Sequence, residues 1–152
     1  MTNQSKIIYF FISFVFFMGF DLYFSELILA SLRFKFIENP FLDLIFVQNT
    51  GAAFSILENS KMFLIVFSII ALFLIFFNIL KNIKNISIFS LFWSAMLLAG
   101  IGCNLWERIE FGYVRDFFKL NFIEFPVFNI SDVFINIGVL ALIFIIIKNR
   151  SK

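Results

Sequence analysis

Apolar residues gather in four long runs, at about residues 7–24, 62–80, 86–106 and 133–147, each bounded by charged or polar side chains. A helix needs ~20 apolar residues to cross ~30 Å of hydrocarbon, so the pattern predicts four transmembrane helices. The connections read differently. Arg33-Phe34-Lys35-Phe36-Ile37-Glu38 alternates polar and apolar side chains before Asn39-Pro40, and Leu44-Ile45-Phe46-Val47-Gln48 runs into Asn49-Thr50-Gly51. Alternation followed by turn residues predicts short strands. Strand edges cannot lie in lipid, so these strands should form a small sheet on the membrane surface. The first run follows Lys6 as a signal peptide would, but it is long and lacks an A-x-A exit, which favours a retained helix.

Composition places the whole chain in the membrane. Of 152 residues, 62% are hydrophobic and 14% charged, so four spans leave no length for a separate soluble domain, and a single integral membrane domain over 1–152 is expected. Charge then orients it. Lys6, Lys81, Lys84, Lys148, Arg150 and Lys152 occupy the termini and the turn between the second and third runs, with no acid among them. By the positive-inside rule these segments face the cytoplasm, and the sheet is extracytoplasmic. All ten acidic residues fall in or beside the two longer, outward connections. No basic cluster of nucleic-acid type occurs, and a monomer surrounded by membrane lipids is expected. With no His, serine-histidine triads and the usual zinc sites are excluded, so hydrolysis would fall to carboxylates. The single cysteine, Cys103, reads as a small buried residue.

The acids share a depth. Between Asp132 and Lys148 lie only 15 positions, nearly all apolar, ~22 Å of helix, which draws Asp132 to the outer interface. Asp21 lies a similar distance from the cytoplasmic end of the first run. Asn104, Glu107 and Arg108 close the third run, and Asp116 follows among aromatics. Ionisable groups at that depth are costly and are functional candidates. Each also has a structural reading: Asp132 opens a helix and suits a cap, Asp116 has Arg115 beside it, Glu107 and Arg108 could pair, and Asn49-Thr50-Gly51 could be only a turn. Two adjacent carboxylates can divide acid and base labour because like charges a few ångströms apart share one proton. A small ion-coupled transporter, an assembly protein and a serine-lysine protease using Ser25, Ser55 or Ser131 remain alternatives on the residues alone.

Three segments narrow the choice. VQNTGAAFSI (47–56) resembles the V-x-N-x-G-A-A-F-S box of lipoprotein signal peptidases, the signal peptidase II family; NLWERIEFGYVRDF (104–117) resembles its G-N-x-x-D-R segment running into F-G-x-V-x-D-F; FNISDVFI (128–135) resembles its F-N-x-A-D-x-x-I box. The resemblance implies a membrane all-α, four-helix bundle with a β-sheet cradle. It further implies an aspartic endopeptidase that cleaves diacylglyceryl-modified prolipoproteins before the lipidated cysteine, at the outer face of the cytoplasmic membrane, without cofactor or metal. Carried over position by position, Asp116 and Asp132 are the catalytic pair, Asn49, Gly51, Asn104, Arg108 and Asn129 shape the site, and Asp21 matches the acid of the first helix. The sequence departs from the pattern with Glu107 in place of Asp, Ala99 and Cys103 in place of Gly, Ser131 in place of Ala, and Asp21-Leu22-Tyr23-Phe24-Ser25 in place of D-Q-x-x-K.

Overall fold

The computed structural model describes residues 1–32, 40–51 and 60–150, in the order α1 (Asn3–Leu32), β1 (Leu42–Asn49), α2 (Lys61–Lys81), α3 (Ile88–Glu110), β2 (Val114–Leu120) and α4 (Ile130–Arg150). All four helices are long and apolar enough to cross a membrane. Their outer faces expose Ile12, Phe16, Phe63, Phe67, Leu140 and Phe144. In lipid such faces carry no penalty, so what must be buried is the polar minority.

That minority selects the faces. In α1 the buried positions are Phe10, Ser13, Phe17, Asp21 and Ser25, spaced three or four residues apart along one stripe. The stripe explains why α1 runs on to Leu32, past the end of the first apolar run. Ile28, Leu29 and Leu32 extend it onto the core around Phe17, Phe117 and Phe134. Helix α3 is the hub: it packs against α1, α2 and α4 and buries Leu91, Ala95, Leu98, Ala99, Gly100, Cys103 and Asn104. Close approach to α4 requires missing side chains. A Cβ on Gly100 would lie 2.6 Å from the Ser131 carbonyl oxygen, and one on Gly138 would lie 2.9 Å from Leu97 Cβ.

Lys6 does more than contribute a basic charge at the start of α1. Its Nζ donates to the carbonyl oxygens of Ile83, Lys84 and Ile86 at 3.0, 2.9 and 2.8 Å, pinning the α2–α3 turn to α1.

Strand β1 falls on the 44–48 segment, but its partner is β2, from the second long connection. The pairing is antiparallel, from Leu42 opposite Leu120 to Asn49 opposite Val114. Between the pairs Leu44–Phe118 and Val47–Asp116, β1 advances three residues and β2 two, so β1 carries a one-residue bulge beside Asp116. The 33–38 alternation and residues 52–56 of the first box lie outside the described residues. Gly112, at φ +88°, makes the turn from α3 into β2, a conformation that glycine adopts without strain.

Candidate active site

The site is built outward from the first turn of α4. Asn129 is the residue before the helix, and its Oδ1 accepts the Asp132 N–H at 2.9 Å; Asp132 Oδ2 in return accepts the Asn129 N–H at 3.2 Å. This reciprocal pair is a capping box with Asp at its third helical position. One carboxylate oxygen of Asp132 is thus fixed by local helix chemistry. The other, Oδ1, accepts from Asn104 Nδ2 of α3 at 2.9 Å.

Asn129 also reaches the sheet. Its Nδ2 donates to Asp116 Oδ1 and to Asn104 Oδ1, both at 3.0 Å. Asp116, 1% exposed, receives its second donor from Asn49 Nδ2 at 2.8 Å, while Asn49 Oδ1 accepts the Gly51 N–H at 2.9 Å. Three amides therefore join the two carboxylates in one network. Arg108 donates from Nη2 to the Gly51 carbonyl oxygen at 2.9 Å and from Nη1 to that of Asn104 at 3.2 Å, and its charge is felt by both aspartates. Its buried Nε has no partner among the described residues.

A cavity of about 740 Å³ opens on this network, lined by Asn49, Asn104, Arg108, Asp116, Asp132 and Asn136, with Val127, Phe128, Val133 and Ile135 among its apolar walls. Burial pushes the Asp116 carboxyl up to about 7, and the charge of Asp132 adds to the shift against the donors Asn49 and Asn129. Asp116 can therefore hold or release a proton near neutral pH. Among the described residues no three Asp, Glu or Cys side chains converge as metal ligands would.

The second connection is locked in place ahead of Asp116. Glu107 Oε2 accepts the Arg115 backbone N–H at 2.7 Å and Oε1 accepts Arg115 Nε at 2.8 Å; Arg115 Nη1 then meets Glu26 of α1 at 2.6 Å, with the guanidinium 4.5 Å above the Phe111 ring. Glu107 thus pairs with Arg115 and not with Arg108, and Arg115 is committed away from Asp116. Both local pairings suggested by sequence neighbours are replaced by longer-range ones.

The family description Signal peptidase (SPase) II matches residues 12–148. The chain belongs to the signal peptidase II family. It is 42% identical over 111 residues to the lipoprotein signal peptidase of Caldicellulosiruptor bescii, covering 73% of this chain and 71% of that one. It is 37% identical over 108 residues to that of Streptococcus thermophilus, covering 71% and 70%. Two solved structures described as a bacterial membrane enzyme superpose with TM-scores of 0.82 and 0.78, each at 28% identity. They cover 97% and 95% of this chain, and 90% and 94% of their own. Membership makes this chain a membrane peptidase, and these matches give the transporter reading no support.

Of the positions carried over from the signal peptidase II pattern, Asn49, Gly51, Asn104, Arg108, Asp116, Asn129 and Asp132 come together around the cavity. Asp21 does not line it. Its buried carboxylate accepts from Ser131 Oγ at 3.0 Å and lies against the Cys103 thiol, behind the start of α4. Ser131 and Cys103, two departures from the family pattern, thus both serve Asp21. Ser25, a third departure, is buried one turn away on the same α1 stripe. Two polar cavity residues escaped the sequence reading: Gln48, and Asn136, the only polar side chain between Asp132 and Lys148. For Asn136, isolation in an apolar span was the available signal.

Proposed function

We propose that this peptidase removes the signal peptide from diacylglyceryl-modified prolipoproteins, with Asp116 and Asp132 as the catalytic pair. The observation that carries the reading is the joining of these two carboxylates, from β2 and α4, through Asn129 and Asn104 on one cavity wall. The ionised member takes a proton from water, whose oxygen attacks the scissile carbonyl, while the protonated member donates to the carbonyl oxygen. Collapse of the tetrahedral species then expels the amine with a proton from the pair. The pair shares its protons, so its pH limits belong to both residues.

Both termini are cytoplasmic and the cavity faces outward in this reading, supported by the acid-free basic segments at the opposite end. The substrate's signal helix and acyl chains would then bring the bond to the depth of the pair. The test is cleavage of a purified lipidated prolipoprotein followed by size shift. Asp116→Asn and Asp132→Asn should each abolish cleavage in folded protein, because an amide cannot exchange the proton; Asp43→Asn should remain active. Substantial residual cleavage by either dyad variant would remove the assignment.

A further inference from the structure

Asn136 is an exposed amide in a helix otherwise apolar from Val133 to Ile147, and it lines the same cavity as Asp116 and Asp132. A polar side chain at that depth is expensive in hydrocarbon unless it has partners, and Asn is a poor helix former besides. Its Nδ2 donates to the Asp132 carbonyl oxygen at 2.8 Å, one turn back along α4, so the side chain lies toward the aspartates. That bond uses one N–H and leaves a second for a ligand. Four residues place Asn136 ~6 Å beyond Asp132 toward the middle of the membrane. Whatever it binds therefore enters on the lipid side of the scissile bond. The neighbouring walls, Val133, Ile135 and Ile137, suit acyl chains and offer no hydrogen bond.

The proposed substrate carries an acceptor at that place. Its cysteine bears a glyceryl thioether with two acyl esters, whose carbonyl oxygens sit between the scissile peptide and the acyl chains. We infer that Asn136 is a specificity-determining residue that donates from Nδ2 to an ester carbonyl of the diacylglyceryl group. This rests on the function proposed above. A carbonyl of the signal-peptide backbone has the same acceptor chemistry, and the experiment separates the two.

The full-length enzyme in nanodiscs is given two prolipoprotein peptides, identical except that one carries a diacylglyceryl group and the other the dialkyl ether, which lacks both carbonyl oxygens. Wild type should show a KM about 5- to 10-fold higher for the ether, the size expected for one neutral hydrogen bond, with kcat within about twofold. Asn136→Leu should raise KM for the ester by the same factor and no longer distinguish the two peptides, and Asn136→Ser, which keeps a donor, should recover part of the preference. The wild-type comparison needs no variant, so a poorly folded Asn136→Leu would not protect the idea. Equal wild-type KM for ester and ether would overturn it. So would Asn136→Leu raising KM equally for both, which would assign the bond to the peptide. Failure of wild type to cleave either peptide would instead sink the substrate reading, and this inference with it.

Discussion

Replacing Asn129 with Ser separates the two tasks of that residue. Ser caps helices about as well as Asn, so its Oγ can keep the acceptor role toward the Asp132 N–H, and the start of α4 should survive. What disappears is Nδ2, the donor shared between Asp116 Oδ1 and Asn104 Oδ1 at 3.0 Å each. Asn104 loses one partner at a buried carbonyl, which costs about 1 kcal/mol of stability. The larger loss falls on Asp116, because a hydrogen bond to a charged group is worth about 1.5–3 kcal/mol. Removing a donor that favours the ionised form raises the Asp116 pKa, already about 7, by about one unit or more. In cleavage assays on detergent-purified protein, kcat should fall about 10- to 100-fold, and the pH limits that the pair sets jointly should move upward. The two losses together, about 2.5–4 kcal/mol, should lower the thermal unfolding temperature by roughly 5–15 °C. An unmoved pH profile, or a downward shift, would refute the bridging role of Asn129; a collapse of stability with no separate kinetic effect would reduce that residue to a cap.

The remaining predictions concern charge, packing and anchoring. Asp116 has its native pKa raised from 3.8 to about 7, so its contribution to stability is fully present below pH ~4 and lost as pH rises through ~7. Unfolding followed from pH 5 to pH 8 should show wild type losing stability and Asp116→Asn losing markedly less; parallel curves would contradict this. Gly100→Ala places a methyl 2.6 Å from the Ser131 carbonyl oxygen, so α4 must shift and carry Asp132 with it, lowering both kcat (more than about tenfold) and melting temperature; a fully active variant would show that α4 gives way harmlessly. Lys6→Met removes three bonds to the α2–α3 turn, so thermal stability should drop by about 1–3 kcal/mol with kcat unchanged, since that turn lies at the other end of the bundle; an unchanged melting temperature would deny the anchoring.

The sequence shows the spans plainly because lipid enforces length and hydropathy, and it flags the acids because each charge at interfacial depth stands out against apolar neighbours. It does not show the sheet's pairing. Strands β1 and β2 come from opposite ends of the α2–α3 hairpin, and the bulge beside Asp116 has no signature of its own in Leu44 to Val47. Alternation at 44–48 suffices for a strand and not for its partner. Helix α1 outruns the apolar run at 7–24 for a related reason. Beyond Phe24 the residues stop being uniformly apolar, but the stripe through Ser25, Ile28, Leu29 and Leu32 keeps the helical period.

The local readings of Asp132 and Asn49 as cap and turn stood as alternatives to a functional role, and that opposition does not survive the geometry. The hydrogen bond that caps α4 is the one that orients the Asp132 carboxylate, and the Asx turn at Asn49 fixes the acceptor side of the amide whose donor side holds Asp116. In a membrane-spanning helix bundle, a polar group at this depth must satisfy the backbone before it can do anything else. Residues that terminate helices and turns already stand with aimed oxygens and amides beside the cavity. Asn129 carries the consequence furthest: the cap that starts α4 is also the shortest link between the two aspartates, so the geometry of the pair is inherited from a helix terminus and not assembled on top of it.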